Sequence, residues 1–199
     1  MKNYISSGIR PIFQEGKYCE RLKALLDKTI FHDLPFYFSS FQENYLRVVL
    51  ALIGHLLNSS IPTINITRMS NHWNIGKEKL YELLYVLERI ELIKIVRKKG
   101  KTAQYTKGAK IFLSDPSLYY CFKGNIGSAR EAFLVMCFSE RYEVLTTTKE
   151  EEGDFVIDGL KVEVGGKKKV KSKADIIFAD DLEVPIGKKY PLWVLGLIF

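Results

Sequence analysis

Asp158-Gly159 is the dipeptide favoured by a two-residue type I′ turn, in which both central residues need positive φ, and no other pair constrains this chain as tightly. A reversal there fixes which residues face each other: Ile157 with Leu160, Val156 with Lys161, Phe155 with Val162, Asp154 with Glu163. Strand alternation then sorts Phe155, Ile157, Leu160, Val162 and Val164 to one face, and Asp154, Val156, Lys161 and Glu163 to the other. The clean sorting of apolar residues supports this register.

In it two carboxylates stand opposite each other with Cβ atoms about 4.5–5.5 Å apart, where like charges repel and something must compensate. Two answers fit. A hard divalent cation takes carboxylate oxygens and keeps positions open for water and phosphate. Alternatively Lys161 and the lysines after Gly166 neutralise the pair on a solvated face.

The bulk composition, 199 residues with 47% hydrophobic and 27% charged, describes a globular chain of one or two domains. The apolar runs Ala132–Phe138 and Tyr190–Phe199 fall short of the ~20 residues a membrane span needs, so no membrane partner is expected. No signal-peptide pattern opens the sequence. Cys19, Cys121 and Cys137 are scattered and odd in number, which predicts reduced thiols in a cytoplasmic setting rather than disulfides. His32, His55 and His72 do not cluster with them, so a structural zinc site is not expected.

The net charge of +7 is unevenly divided. Residues 1–118 hold 18 Lys and Arg against 10 Asp and Glu, whereas residues 119–199 hold 12 against 13. An anion-binding part followed by a nearly neutral one is the functional reading, and a solubilising surface is the plain one.

Helical periodicity predicts helices over Lys17–Ile30 and Gln42–Leu57, the first stopped by Asp33-Leu34-Pro35. A short helix follows over Thr67–Trp73, then a turn at Asn74-Ile75-Gly76 with Gly76 free to take positive φ, then a longer helix over Lys77–Ile90. Strands over Ile93–Arg97 and Lys110–Leu113 complete the order of a winged helix-turn-helix. The longer helix, net −1 from Lys77 to Glu91, is a poor phosphate-facing surface. The wing carries Lys94, Arg97, Lys98, Lys99 and Lys101 without an acid, which predicts DNA binding by backbone contact more than base readout. A protein-contact role, with those lysines merely solvated, is the competing reading.

Past a break at Ser114-Asp115-Pro116, Ser128-Ala129-Arg130-Glu131 has capping-box spacing and predicts a helix from Ser128 through Phe138. Strands are expected at Tyr142–Thr146, in the hairpin, at Ala174–Phe178 and at Pro191–Leu197. No G-x-x-x-x-G-K-[ST] loop or G-x-S-x-G elbow occurs, so no nucleotide site or serine-hydrolase site is expected in the chain itself.

Asn125 through Phe133, Asp154-Phe155, Glu163-Val-Gly-Gly-Lys167-x-Lys169, Asp180-Asp181-Leu-Glu183 and Pro191-Leu-Trp193-x-x-Gly196 together resemble the C-terminal half of a prokaryotic AAA-type ATPase family. There a P-loop ATPase domain is followed by a winged helix and then by a domain similar to the PD-(D/E)xK restriction-endonuclease fold. The resemblance implies an α/β (α+β) chain lacking its motor: residues 1–117 a helical N-terminal region and winged helix-turn-helix, residues 118–199 restriction-endonuclease-like. It implies DNA and the preceding ATPase domain as partners. In nucleases of that fold Glu131, Asp154 and Glu163 would bind Mg²⁺ or Mn²⁺, and Asp154, Glu163 and Lys167 would be catalytic. Lys167 lies four residues after Glu163, where the nuclease pattern has its lysine two after, so a loop-out at Gly165-Gly166 is required. A catalytically inactive interaction or regulatory module of the ATPase is the alternative.

Overall fold

A computed structural model describes residues 14–38, 43–60, 62–103, 105–165 and 173–197. The chain mixes helix and sheet. Helix α1 (Tyr18–Lys28) widens into a π turn at Thr29–Asp33 and tightens into a 3₁₀ turn at Leu34–Tyr37, where Pro35 removes a backbone donor. Leu22, Leu26, Ile30 and Leu34 recur every four residues and are all buried, so one face runs through all three winding modes. Helix α2 (Glu43–Asn58) buries Val48, Val49, Leu52, Ile53 and Leu56 against it.

Helix α3 (Ile66–Trp73) is capped by Asn65, whose Oδ1 accepts the Arg68 N–H at 3.1 Å. It ends on Asn74 at φ 49°, while Gly76 stays at φ −58°. The left-handed residue of the turn is therefore Asn74 rather than Gly76, a conformation that asparagine tolerates through local hydrogen bonding. Helix α4 (Lys77–Arg89) lays Leu80, Leu83, Leu84 and Leu87 into the core. Strands β1 (Ile93–Val96) and β2 (Lys110–Leu113) pair antiparallel, Ile93 opposite Leu113. The segment before α3 joins them, since Ile64 N–H donates to Ala109 O at 2.7 Å.

A short helix that periodicity did not reveal, α5 (Ser117–Cys121), follows Pro116. Helix α6 spans Ile126–Ser139. Its cap is Asn125, which accepts the Ser128 N–H at 3.0 Å, while Ser128 Oγ donates to Ser59 O at 2.6 Å. The capping box expected at Ser128 and Glu131 is thus displaced by a better-placed asparagine, and Glu131 is left for another partner.

A five-stranded sheet of order β3-β4-β5-β6-β7 packs against α6, built from β3 (Val144–Thr146), β4 (Phe155–Ile157), β5 (Leu160–Gly165), β6 (Ile176–Ala179) and β7 (Lys189–Pro191). The first three strands run antiparallel and the last two parallel to β5. The hairpin has the register expected from Asp158-Gly159, with φ 48° and 79° at the turn. The ladder stops at Phe155 opposite Val162, because Asp154 N–H also donates to Val162 O, at 2.9 Å. Two residues then oppose one, a β-bulge, so Asp154 and Glu163 are not ladder partners as alternation had predicted. Gly153 makes the bulge possible: at φ 104°, a Cβ on it would lie 2.8 Å from Val162 O. The strand expected at Pro191–Leu197 is instead a 3₁₀ turn over Leu192–Leu197, with Leu192 and Leu195 buried at its three-residue period.

One hydrophobic cluster runs through both halves of the chain. Thr146 N–H donates to Arg97 O at 2.8 Å and Lys99 N–H to Thr146 O at 3.1 Å, so the segment after β1 is stitched to β3. Cys19 and Cys121 form a disulfide with Cα atoms 5.2 Å apart, which corrects the expectation of three reduced thiols. Cys137 alone is free, and buried. Among the described residues no helix is long and apolar enough to cross a membrane.

Candidate functional site

Strand β2 begins with a lysine whose ammonium turns toward the second half of the chain. Lys110 Nζ lies 2.6 Å from Glu131 Oε2 and 3.2 Å from Asp154 Oδ1, and 4.6 Å from the centre of the Phe155 ring. The three charged side chains are 13%, 14% and 17% exposed. At that depth an ammonium between two carboxylates is screened little by solvent, and losing it would leave two acids facing each other. Asp154 Oδ2 accepts the Val164 N–H at 3.0 Å, so its carboxylate also pins the edge of β5 where the bulge has interrupted the ladder.

Glu131 and Asp154, two of the acids singled out from the sequence, are therefore brought together, and the cation on which they converge is Lys110. Glu163 is buried on β5, opposite Ile177 of β6. Lys167 lies outside the described residues. Among the described residues no group of three His, Cys, Asp or Glu is placed to hold a metal ion.

Arg130, the residue before Glu131, donates from Nε to Asp180 Oδ2 at 2.7 Å and ties α6 to the end of β6. Both belong to the blocks that carry the family resemblance. Neither role was assigned from the sequence. Lys110 was also passed over there; its only signal is a lone charge opening the apolar run Ile111-Phe112-Leu113.

The five cations between Lys94 and Lys101 separate into distinct environments. Arg97 forms an ion pair with Glu143. Lys94 lines a hollow that also holds Glu88, Glu91 and Glu140, an acidic setting. Lys98 is half-buried and lies along Gly108, where an added Cβ would come 3.6 Å from its Nζ. Lys99 and Lys101 are exposed on the turn beyond β1. The half-buried Glu152 carboxyl is held below its ordinary pKa by a hydrogen bond from Lys161, with Lys149 and Lys99 adding to the effect.

No known family profile, curated protein or solved structure matches the chain.

Proposed function

We propose that this chain binds the backbone of nucleic acid through a winged helix-turn-helix made of α3, α4, β1 and β2, as the C-terminal effector region of a cytoplasmic AAA-type ATPase. The observation that carries the reading is the placement of Lys99 and Lys101. Both are exposed on a turn whose base is fixed by the backbone bonds between Arg97, Lys99 and Thr146, and neither makes an ion pair among the described residues. A held turn presenting unpaired ammonium groups suits phosphate contact, which gives affinity without reading bases. Helix α4 supports backbone contact over base readout, since its exposed surface mixes Lys77 and Lys79 with Glu78 and Glu82.

Fluorescence anisotropy of a labelled duplex across a salt series tests this. The wild-type dissociation constant rises steeply with salt, and Lys99→Gln with Lys101→Gln lowers the log–log slope by about two, roughly one for each phosphate that the wing no longer neutralises. A dissociation constant indifferent to salt rejects the reading.

A second reading, phosphodiester cleavage by the restriction-endonuclease-like half, is favoured by the part-buried meeting of Glu131 and Asp154 with a lysine. Its test is duplex cleavage with Mg²⁺ or Mn²⁺ by wild type, Asp154→Asn and Glu163→Gln; equal rates in all three exclude it.

A further inference from the structure

The end of α2, the Thr63–Asn65 segment, one face of α3 and the Lys107-Gly108 corner enclose a groove of about 490 Å³ that opens outward past Thr67 and Asn71. Four side chains on its walls carry or can gain positive charge: Arg68 and His72 from α3, His55 from α2, and Lys107. No Asp or Glu lines it among the described residues, and none of them pairs with Arg68, His72 or Lys107. Neutral donors complete the walls, the hydroxyls of Ser59 and Thr63 and the amide of Asn65.

All four of these side chains are exposed, and the two imidazoles stand beside a buried tryptophan. Trp73 is buried beneath the groove, with the His55 ring edge-on at 6.3 Å and the His72 ring tilted at 6.3 Å. Ser59, at the α2 end, is anchored by the hydroxyl of Ser128 on its carbonyl. The groups also repel one another: burial first, then Arg68 and His72, push the His55 pKa below its ordinary value. Like charges gathered on fixed walls with no acid between them lack a counter-charge, and an anion entering the groove relieves that repulsion.

We infer that this groove is a binding site for a phosphate group, carried by a nucleic-acid strand that continues onto it from the wing. Two features favour phosphate on a strand. The groove is open along one side, and its Gly108 wall is where Lys98 lies, so cations continue from Lys99 and Lys98 through Lys107 to Arg68. The arginine supplies a planar fork matched to phosphate oxygens, and the lysine a point charge. Only the source of the phosphate rests on the nucleic-acid reading; the site itself rests on the groove.

The test follows the imidazole Cε1–H resonances of His55 and His72 by NMR, with His32 outside the groove as reference, while inorganic pyrophosphate is added. Saturable shifts of His55 and His72, with His32 unmoved, are expected, and Arg68→Gln weakens the apparent affinity at least tenfold with the circular dichroism spectrum unchanged. A drift that never saturates and is shared with His32 overturns the site. A second arm adds single-stranded and duplex oligonucleotides. Displacement of pyrophosphate from His55 and His72 by either places the phosphate on nucleic acid. Oligonucleotide binding that leaves both histidines unmoved overturns the strand-borne source and leaves a site for free phosphate. Pyrophosphate saturation with no oligonucleotide binding at all upholds the site while rejecting the proposed function.

Discussion

Lys110 and Glu131 come from opposite halves of the chain, strand β2 and helix α6, and meet at 2.6 Å with little solvent around them. The contact ties strand β2 to α6 at the place where Asp154, just before β4, also converges. Removing the ammonium while leaving both acids should be costly. Lys110→Ala is expected to lose about 3–5 kcal/mol of stability, the usual result of stripping one partner from a buried charge cluster. Urea unfolding measures it. Because the Lys110 ammonium would no longer stand between the two carboxylates, Mn²⁺ at millimolar levels should restore part of the loss in Lys110→Ala and none in Lys110→Ala with Glu131→Gln. Equal Mn²⁺ responses in the two variants would show that these oxygens have no capacity for a divalent ion.

The Cys19–Cys121 bond joins residues 102 positions apart, from α1 to α5, beside the buried hydrogen bond between the Tyr18 and Ser117 hydroxyls. In the chain-entropy account a loop of that length constrains the unfolded state strongly. Reduction, or Cys19→Ser, should therefore cost roughly 2–5 kcal/mol, read as a lower melting temperature in dithiothreitol. The buried Cys137 thiol, pushed up to about 12 by burial, should stay unreactive toward thiol reagents until the chain unfolds. One rapidly reacting thiol in the oxidised native protein would contradict the burial, and three titratable thiols after unfolding without reductant would contradict the pairing.

Asn125 and Ser128 can be told apart by substitution. Asn125→Ala removes the acceptor for the Ser128 N–H and should cost about 1 kcal/mol, the ordinary value of a helix cap. Ser128→Ala should also destabilise, but through the lost bond to Ser59, and Ser59→Gly should leave that cost in place because the acceptor is the backbone carbonyl. If Ser128 were the cap, Asn125→Ala would be neutral in the same unfolding experiment.

The Asp158-Gly159 register was legible in the sequence because a two-residue turn settles pairing within a few residues. Legibility ended one step further, at Asp154, because the bulge depends on Gly153 closing against Val162, an approach that alternation does not encode. The helix cap expected at Ser128 lies three residues earlier for a local reason: Asn125 is also a good cap residue, and Ser59, far back in the chain, claims the Ser128 hydroxyl. The wing looked like one cationic patch, yet Arg97 is spent on Glu143, which arrives only when β3 is laid beside β1. Lys110 with Glu131 and Asp154, and Cys19 with Cys121, join residues 21, 44 and 102 positions apart, and no periodicity links them.

The groove beside α3 also gives a pH dependence whose direction can be worked out. His55 has its folded pKa lowered from 6.5, by burial and by Arg68 and His72, and the other charged group facing it is Lys107, also a cation. Between the unfolded and folded values the unfolded chain binds the proton better, so stability rises with pH across that interval. The stabilising effect is complete above about pH 6.5 and is lost as pH falls through the folded value. Melting temperature should therefore fall as buffer pH is lowered from about 7.5 toward about 5, and His55→Gln should flatten that decline. Pyrophosphate should act in the opposite sense, stabilising the protein more at about pH 5.5 than at about 7.5, because a protonated imidazole adds its attraction for the anion to that of Arg68 and Lys107. A pyrophosphate effect that is the same at both pH values would show that the His55 imidazole takes no part in holding it.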